Sequence, residues 1–162
     1  GIQLTDKSED EWNQAFGYMQ GFDLDKGMSD IASSIAALRA LDGCAGKVGA
    51  LGYCLGGRLS MVAAARTDAD AAVSYYGVYL HEHVGEPIKC PLMLHIAGED
   101  EFFPKEGRDA VHQALDGNSN VTIHDYPGRN HAFARVGGQN YNEADATAAN
   151  KRSIDFLKAN LA

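Results

Sequence analysis

Short apolar runs alternate with helical patterns along this chain, and this alternation restricts the fold more than any other feature. The helical patterns follow the period of an amphipathic helix, whereas the runs have the length of buried strands. Strands that alternate with helices form a parallel sheet with right-handed crossovers. The sequence therefore predicts an α/β fold, with strands at residues 47–53, 71–76, 91–97 and 121–126 and helices at about 9–20, 29–41, 55–66, from Pro104 onward, and at about 143–161.

The ends and apolar faces of several elements are also predictable. Ser29 is a helix-capping residue type, and Asp42-Gly43 is a typical helix end. The run at 47–53 is largely apolar, as expected for a strand buried on both faces. The apolar helix faces are Trp12, Phe16 and Met19 in the first helix, Ile31, Ile35, Leu38 and Leu41 in the second, and Ile154, Leu157 and Leu161, expected to face inward, in the last.

Length and composition restrict the number of domains and the kind of partner. The 162 residues suit a single domain, residues 1–162, and 45% of them are hydrophobic. Acidic residues exceed basic ones by 22 to 14, so neither a nucleic acid nor an anionic membrane is the expected partner. Cys44, Cys54 and Cys90 suggest no disulfide framework, and we expect a cytoplasmic protein.

The most informative motif is Gly52-Tyr53-Cys54-Leu55-Gly56, at the junction of the first strand with the next helix. A side chain can project from so tight a turn only if the backbone is strained and the residues two positions away are small. Cys54 would then lie at a helix N-terminus, which favours a thiolate. The N–H of Leu55 would point toward a developing oxyanion.

Two other interpretations of this motif remain open. The first is that Cys54 is an inert buried thiol and the glycines only allow close packing of strand and helix. The second is a phosphate-binding turn, which the sequence disfavours because it has neither G-x-G-x-x-G nor G-K-[ST]. A nucleotide-binding domain is therefore the weaker hypothesis.

A nucleophilic thiol needs a base, and the base needs a group that orients it. His131 follows the fourth strand, and Asp100 follows the third, at the sheet edge where Cys54 is expected. Glu99 and Glu101 are neighbouring alternatives to Asp100. The remaining histidines are expected to be structural (His95, His124), on a solvated helix face (His112), or a weak metal pair without a convincing third ligand (His81, His83).

At these residues the chain resembles the dienelactone hydrolase family of α/β-hydrolases. The resemblance rests on Gly52–Gly57, Tyr75–Val78, Gly98–Asp100 and Gly128–Arg135, and it runs from about residue 10 to the C-terminus. It implies a hydrolase of esters or lactones with Cys54 as nucleophile, His131 as base and Asp100 as orienter. It also implies that Arg135 binds a substrate carboxylate and that Tyr76 lines the pocket, with no cofactor and no metal.

One departure from the family pattern concerns the start of the fold. The family's fold begins with further strands, and an upstream loop supplies a second oxyanion donor, a carboxylate and a second arginine, none of which can be placed here. The chain opens on Gly1 without a methionine, so we expect a segment of a longer polypeptide. The strand at 47–53 would then present an open apolar edge, covered by the preceding segment or by a second copy.

Two consequences for activity follow from this departure. Loss of one oxyanion donor typically costs about 10²–10³ in rate, so the segment alone is expected to be weakly active or inactive. The alternative function is a binding module for small acids that has kept the fold and lost the chemistry.

Overall fold

A computed structural model of the chain describes Ile2, Leu4 and residues 8–162. Gly1, which contributed to the expectation of a longer chain, lies outside the described residues. The helices are α1 (Glu9–Gln20), α2 (Leu24–Arg39), α3 (Leu55–Arg66), α4 (Lys105–Leu115) and α5 (Glu143–Leu161), with a 3₁₀ turn at Leu80–His83. The strands are β1 (Gly49–Tyr53), β2 (Ala71–Tyr75), β3 (Leu92–Ala97) and β4 (Val121–Tyr126).

The four strands form one parallel sheet in the order β1-β2-β3-β4. Gly49 pairs with Ala71, Ala72 with Leu92, and Leu92 with Val121, so the strands lie nearly in step. Because parallel strands end at the same edge, the loops after all four strands converge there, as ligand sites of such sheets require. The predicted α/β fold is confirmed.

The two faces of the sheet carry separate cores, because alternate side chains of a strand point to opposite faces. On β3, Leu92, Leu94 and Ile96 belong to the core that also contains residues of α2, α3 and α4. Met93 and Ala97 of the same strand belong to the other core, which includes Ala149 of α5. The sheet edge at which the four strands end is therefore supported by a core on each face of the sheet.

The second helix begins five residues earlier than predicted and ends before Asp42-Gly43. Asp23, not Ser29, is its N-cap, and the Asp23 carboxylate accepts a hydrogen bond from the Lys26 N–H at 3.0 Å. Gly27 lies inside this helix, where the Phe22 ring packs against it. A Cβ at this position would be 2.4 Å from Cζ of Phe22, so the ring leaves room only for glycine. The predicted start of this helix at residue 29 is therefore wrong, because Gly27 lies inside the helix.

Helical spacing predicts that three apolar side chains face the core, but the structure exposes them. Leu38 and Leu41 are 50% and 60% exposed. Ile154, predicted to face inward, is 51% exposed, because α5 instead buries Ala146, Ala149 and Ser153 against the sheet. Leu157 does pack against the core on that face, as predicted, and Leu161 contacts Gly49.

The prediction that the first strand is buried on both faces is wrong. Leu51 and Tyr53 of β1 are 43% and 46% exposed. Within the described part of the chain, β1 pairs with β2 and has no second neighbour, which leaves the open edge that the sequence predicts. None of the described helices combines the length and the apolar character needed to cross a membrane.

Candidate active site

Cys54 lies in the sharp turn between β1 and α3, with φ 55° and ψ −119°. A non-glycine residue with positive φ is strained, and such strain persists only where the surroundings hold it. Here the Cys54 N–H donates to the Tyr75 carbonyl at 3.1 Å, and the Cys54 carbonyl accepts from the N–H groups of Arg58 at 3.2 Å and Val78 at 3.4 Å. The turn therefore projects the thiol from the sheet edge.

The glycines around Cys54 have different roles from those predicted. A Cβ on Gly52 would lie 2.0 Å from the Gly56 carbonyl oxygen, so Gly52 is needed as expected. A Cβ on Gly56 itself would meet nothing within 4 Å, so the predicted need for a small residue there is not found. The second tight position is Gly57, where a Cβ would lie 2.7 Å from the Tyr75 carbonyl oxygen.

Leu55 is the first residue of α3, directly after the thiol. The first N–H groups of a helix have no partner within the helix and carry the positive end of its dipole. The first backbone bond of this helix runs from Arg58 to Cys54, so the Leu55 N–H precedes the internal ladder. This donor can stabilise negative charge that develops next to Cys54.

His131 and Asp100 form a buried pair across the loops that follow β4 and β3. The His131 Nδ1 lies 2.9 Å from Oδ2 and 3.1 Å from Oδ1 of Asp100, and their side chains are 9% and 1% exposed. Glu99 and Glu101 are exposed. The carboxylate that contacts the imidazole is therefore Asp100, as expected from the sequence.

The protonation of His131 is set by competing effects. Burial lowers the pKa of the imidazole, but hydrogen bonds with Asp100 and Cys54, together with the charges of both groups, raise it to about 9. The ring is therefore protonated at neutral pH. A protonated imidazole next to a thiol stabilises the thiolate form.

Tyr76 and Arg135 both line a cavity at this centre. Tyr76 is buried and packs edge-on against His131, with ring centroids 5.1 Å apart. Burial raises the pKa of its phenol, and nearby Tyr53 and Cys54 raise it further, so the hydroxyl remains a donor. Arg135 is exposed and lies with Tyr76, Cys54 and His131 in the wall of a cavity of about 670 Å³.

A second cavity, of about 460 Å³, also borders Cys54. Its wall combines Cys54, Leu55 and His131 with apolar side chains of α1, including Trp12 and Phe16. The apolar face of α1 therefore lines a cavity instead of a core. The larger cavity, called the polar cavity below, is the more polar of the two, and Cys54 and His131 line both.

The other histidines lie away from this centre. His95 is buried between the Tyr126 hydroxyl at 2.8 Å and the Ser153 hydroxyl at 2.9 Å, and burial lowers its pKa to about 3. His83 accepts from the Arg58 Nε at 2.9 Å and contacts Glu86 at 2.8 Å. Across Ile2, Leu4 and residues 8–162, no three His, Cys, Asp or Glu side chains cluster as a metal site.

Sequence reasoning missed two residues that shape the site. Phe102 packs edge-on against His131 with ring centroids 4.9 Å apart, and it also stacks on Trp12. The Asn130 Oδ1 accepts from the N–H groups of His131 at 2.6 Å and Glu101 at 3.1 Å, joining the two loops. Asn130 directly precedes His131 and Phe102 follows Asp100 by two residues, which was the available signal, but the sequence does not show which side chains of the converging loops touch.

Comparison with known proteins finds similar sequences over nearly the whole chain. A sequence model of the dienelactone hydrolase family matches residues 3–161. A protein of Azospirillum brasilense, provisionally named carboxymethylenebutenolidase, is 46% identical over 166 residues, which cover 99% of this chain and 70% of that protein. The carboxymethylenebutenolidase of Pseudomonas putida is 35% identical, with coverage of 97% and 67%.

Solved structures show the same fold. A dienelactone hydrolase-like promiscuous phosphotriesterase from metagenomic libraries superposes with a TM-score of 0.71 at 18% identity, over 99% of this chain and 71% of that chain. An esterase of Thermogutta terrifontis gives a TM-score of 0.64 at 19% identity, over 86% and 66%.

Proposed function

Because this chain belongs to the dienelactone hydrolase family, we propose that it cleaves ester or lactone bonds by acyl transfer to Cys54. The observation that supports this mechanism best is the joint placement of three groups. A strained turn holds the Cys54 thiol in the same two cavities as His131, and His131 is held by Asp100 at 2.9 Å. Nucleophile, base and orienter are thus in one chain of contacts.

The form of the site that reacts pairs a Cys54 thiolate with a protonated His131. The pKa of His131, raised to about 9, keeps the proton on the ring at neutral pH. Asp100 stabilises the resulting imidazolium and fixes its orientation through Nδ1. The thiolate therefore needs no further base for the first step.

In the first step, the Cys54 sulfur forms a bond to the substrate carbonyl carbon. The Leu55 N–H and other donors hold the oxyanion while it persists. The intermediate collapses when the bond from carbon to the leaving oxygen breaks, and His131 gives its proton to that oxygen. A thioester and a neutral imidazole remain.

In the second step, the neutral imidazole takes a proton from water as the water oxygen attacks the thioester. Acylation of Cys54 removes the thiol hydrogen bond and charge that help to raise the pKa of His131. The imidazole consequently becomes a base suited to neutral pH. The carbon–sulfur bond then breaks, the acid is released, and the thiolate–imidazolium pair is restored.

The substrate class is inferred from the polar cavity. Arg135 presents a guanidinium, whose planar fork binds a carboxylate through two parallel hydrogen bonds. The phenol of Tyr76 adds a donor close to the thiol. Activated substrates such as enol lactones suit a thiolate, because it is both a good nucleophile and a good leaving group. Family membership does not favour the alternative of a binding module without catalysis.

Two further expectations concern the setting of the enzyme. Cys44, Cys54 and Cys90 are all free thiols, which fits a reducing compartment such as the cytoplasm. The open edge of β1 would be covered by additional chain or by a second copy, and this cover would supply a second oxyanion donor. Without it, turnover by these 162 residues is expected to be weak.

The test replaces the nucleophile in the complete protein. Cys54→Ala should lower the turnover of an activated ester such as p-nitrophenyl acetate by about 10³-fold or more. Cys44→Ala is the matched control, because Cys44 is a half-buried free thiol in the core that packs α2 and α3 against the sheet. Unchanged turnover by Cys54→Ala, at the rate of Cys44→Ala, would rule out this mechanism.

A further inference from the structure

The side chain of Asn150, on the second turn of α5, enters the wall of the polar cavity beside Cys54 and Arg135. The Asn150 carboxamide is exposed, and its Oδ1 accepts a hydrogen bond from the buried Tyr75 hydroxyl at 3.0 Å. A cavity-wall amide held by a buried phenol can present a fixed donor to a ligand. Whether Oδ1 or Nδ2 of Asn150 is available to a ligand depends on the direction of the hydrogen bond with the Tyr75 hydroxyl.

The phenol belongs to a chain of hydrogen bonds that begins at Arg152 of α5, on the face of the sheet that α5 covers. The Arg152 Nη1 donates to the Tyr126 hydroxyl at 3.1 Å. The Tyr126 hydroxyl in turn lies 2.8 Å from Nδ1 of His95. Arg152 can only donate, so the first bond of this chain has a fixed direction.

The chain continues from the other nitrogen of the ring to the cavity. Nε2 of His95 lies 2.9 Å from the Ser153 hydroxyl, which lies 2.7 Å from the Tyr75 hydroxyl. Tyr75 then contacts Oδ1 of Asn150. His95, Ser153 and Tyr75 are each at most 2% exposed, so water does not compete for these bonds.

Counting protons gives the direction of every bond. If Tyr126 donates to Nδ1 of His95, then Nε2–H donates to Ser153, Ser153 donates to Tyr75, and Tyr75 donates to Asn150. In the opposite direction, Tyr126 would accept from both Arg152 and His95, and its own buried proton would have no partner among these groups. An unpaired buried donor is costly. The chain therefore runs from Arg152 to Oδ1 of Asn150.

With Oδ1 occupied by Tyr75, the two N–H bonds of the Asn150 amide are the groups it can offer to a ligand in the cavity. We propose that Asn150 is a specificity-determining residue, whose amide donates to a carboxylate oxygen of an acidic ligand in the cavity that Arg135 lines. This rests on the proposed function for the identity of the ligand. The hydrogen-bonded chain makes Tyr75 a positioning residue for the amide.

Burial keeps this arrangement constant over the working pH range. The pKa of His95 is lowered to about 3, so the ring stays neutral with one donor and one acceptor. A second proton on His95 would reverse the bond to Tyr126. The orientation of the Asn150 amide should therefore stay the same at any pH well above 3.

The test measures binding and does not depend on turnover. The affinity of the wild-type protein for succinate, a small dicarboxylate, is determined by calorimetry and compared with that of Asn150→Ala and Asn150→Asp. Asn150→Ala should weaken binding by about tenfold, and Asn150→Asp by more, because a carboxylate there repels the ligand. Asn160→Ala is the matched control: it is an asparagine on α5 whose amide donates to the Phe156 carbonyl and does not line the cavity.

A double-mutant cycle separates positioning from general stability. Tyr75→Phe keeps the ring and removes the hydroxyl, so it should weaken succinate binding, and adding it to Asn150→Ala should cause no further loss. Equal affinity of wild type and Asn150→Ala, additive losses in the double variant, or no succinate binding by the wild type would each overturn the proposal. Failure of the proposed function is read separately, from the turnover of Cys54→Ala.

Discussion

The carbonyl oxygen of Gly56 occupies the space that any side chain on Gly52 would need: a Cβ on Gly52 would lie 2.0 Å from it. Gly52 lies in β1 and Gly56 in the first turn of α3, so the clash would be with backbone, which cannot swing away as a flexible side chain can. A Cβ on Gly56 would instead meet nothing within 4 Å. The two glycines flank Cys54 symmetrically in sequence, yet the turn depends on only one of them.

This asymmetry predicts opposite outcomes for two alanine variants. Gly52→Ala should destabilise the protein by about 2–3 kcal/mol and lower kcat/KM by at least about 100-fold, because the displaced turn moves the thiol. Gly56→Ala should leave stability unchanged or raise it by about 0.5–1 kcal/mol, since alanine favours the helix. Urea unfolding and ester turnover check both, and equal effects of the two variants would contradict this account of the turn.

The second prediction concerns the carboxylate that orients His131. Asp100→Asn should lower kcat by about 10²–10⁴-fold, because the imidazole loses its anionic partner and its tautomer is no longer fixed. Glu99→Gln is the control, since the adjacent carboxylate is exposed and should have little influence. A large loss for Glu99→Gln with activity kept in Asp100→Asn would show that the wrong carboxylate had been identified.

The third prediction links His131 to stability. Its pKa is raised from 6.5 to about 9 on folding, so the folded state binds more protons than the unfolded state between these values. The stabilisation is fully present below about pH 6.5 and is lost as pH rises through 9. The difference in unfolding free energy between wild type and His131→Gln should therefore shrink over this interval. A difference that stays flat or grows would disagree with the assigned ion pair.

The fourth prediction concerns the buried chain of hydrogen bonds. Ser153→Ala removes the link between His95 and Tyr75 and leaves buried polar groups unpaired, so we expect a loss of about 1–3 kcal/mol in unfolding free energy. Ser33→Ala is the control, because Ser33 bonds only to the Ser29 carbonyl on an exposed helix face. Similar small losses in both variants would mean that the chain contributes little to stability.

Local rules account for what the sequence predicts well. The strand–turn–helix around Cys54, the placement of Asp100 and His131 after later strands, and the parallel sheet all follow from residue types at short spacing. Strand ends converge in any parallel sheet, so the meeting of His131 with Asp100 could be expected without seeing the fold.

Tertiary contacts account for what the sequence does not predict. Gly27 lies inside α2 because the ring of Phe22 covers it, and Ile154 faces outward because α5 buries Ser153, whose hydroxyl bonds to the sheet. Phe102 reaches His131 from a separate loop. Each outcome depends on which side chains touch in three dimensions, which spacing alone does not reveal.

The most direct test of the central claim is mass spectrometry of the protein after a short reaction with p-nitrophenyl acetate and an acid quench. The mechanism predicts one acetyl group, carried by the peptide that contains Cys54 and absent from the peptides of Cys44 and Cys90. His131→Ala should retain that acetyl group longer, because water is no longer activated. Turnover with no acetyl group on Cys54 would contradict the account.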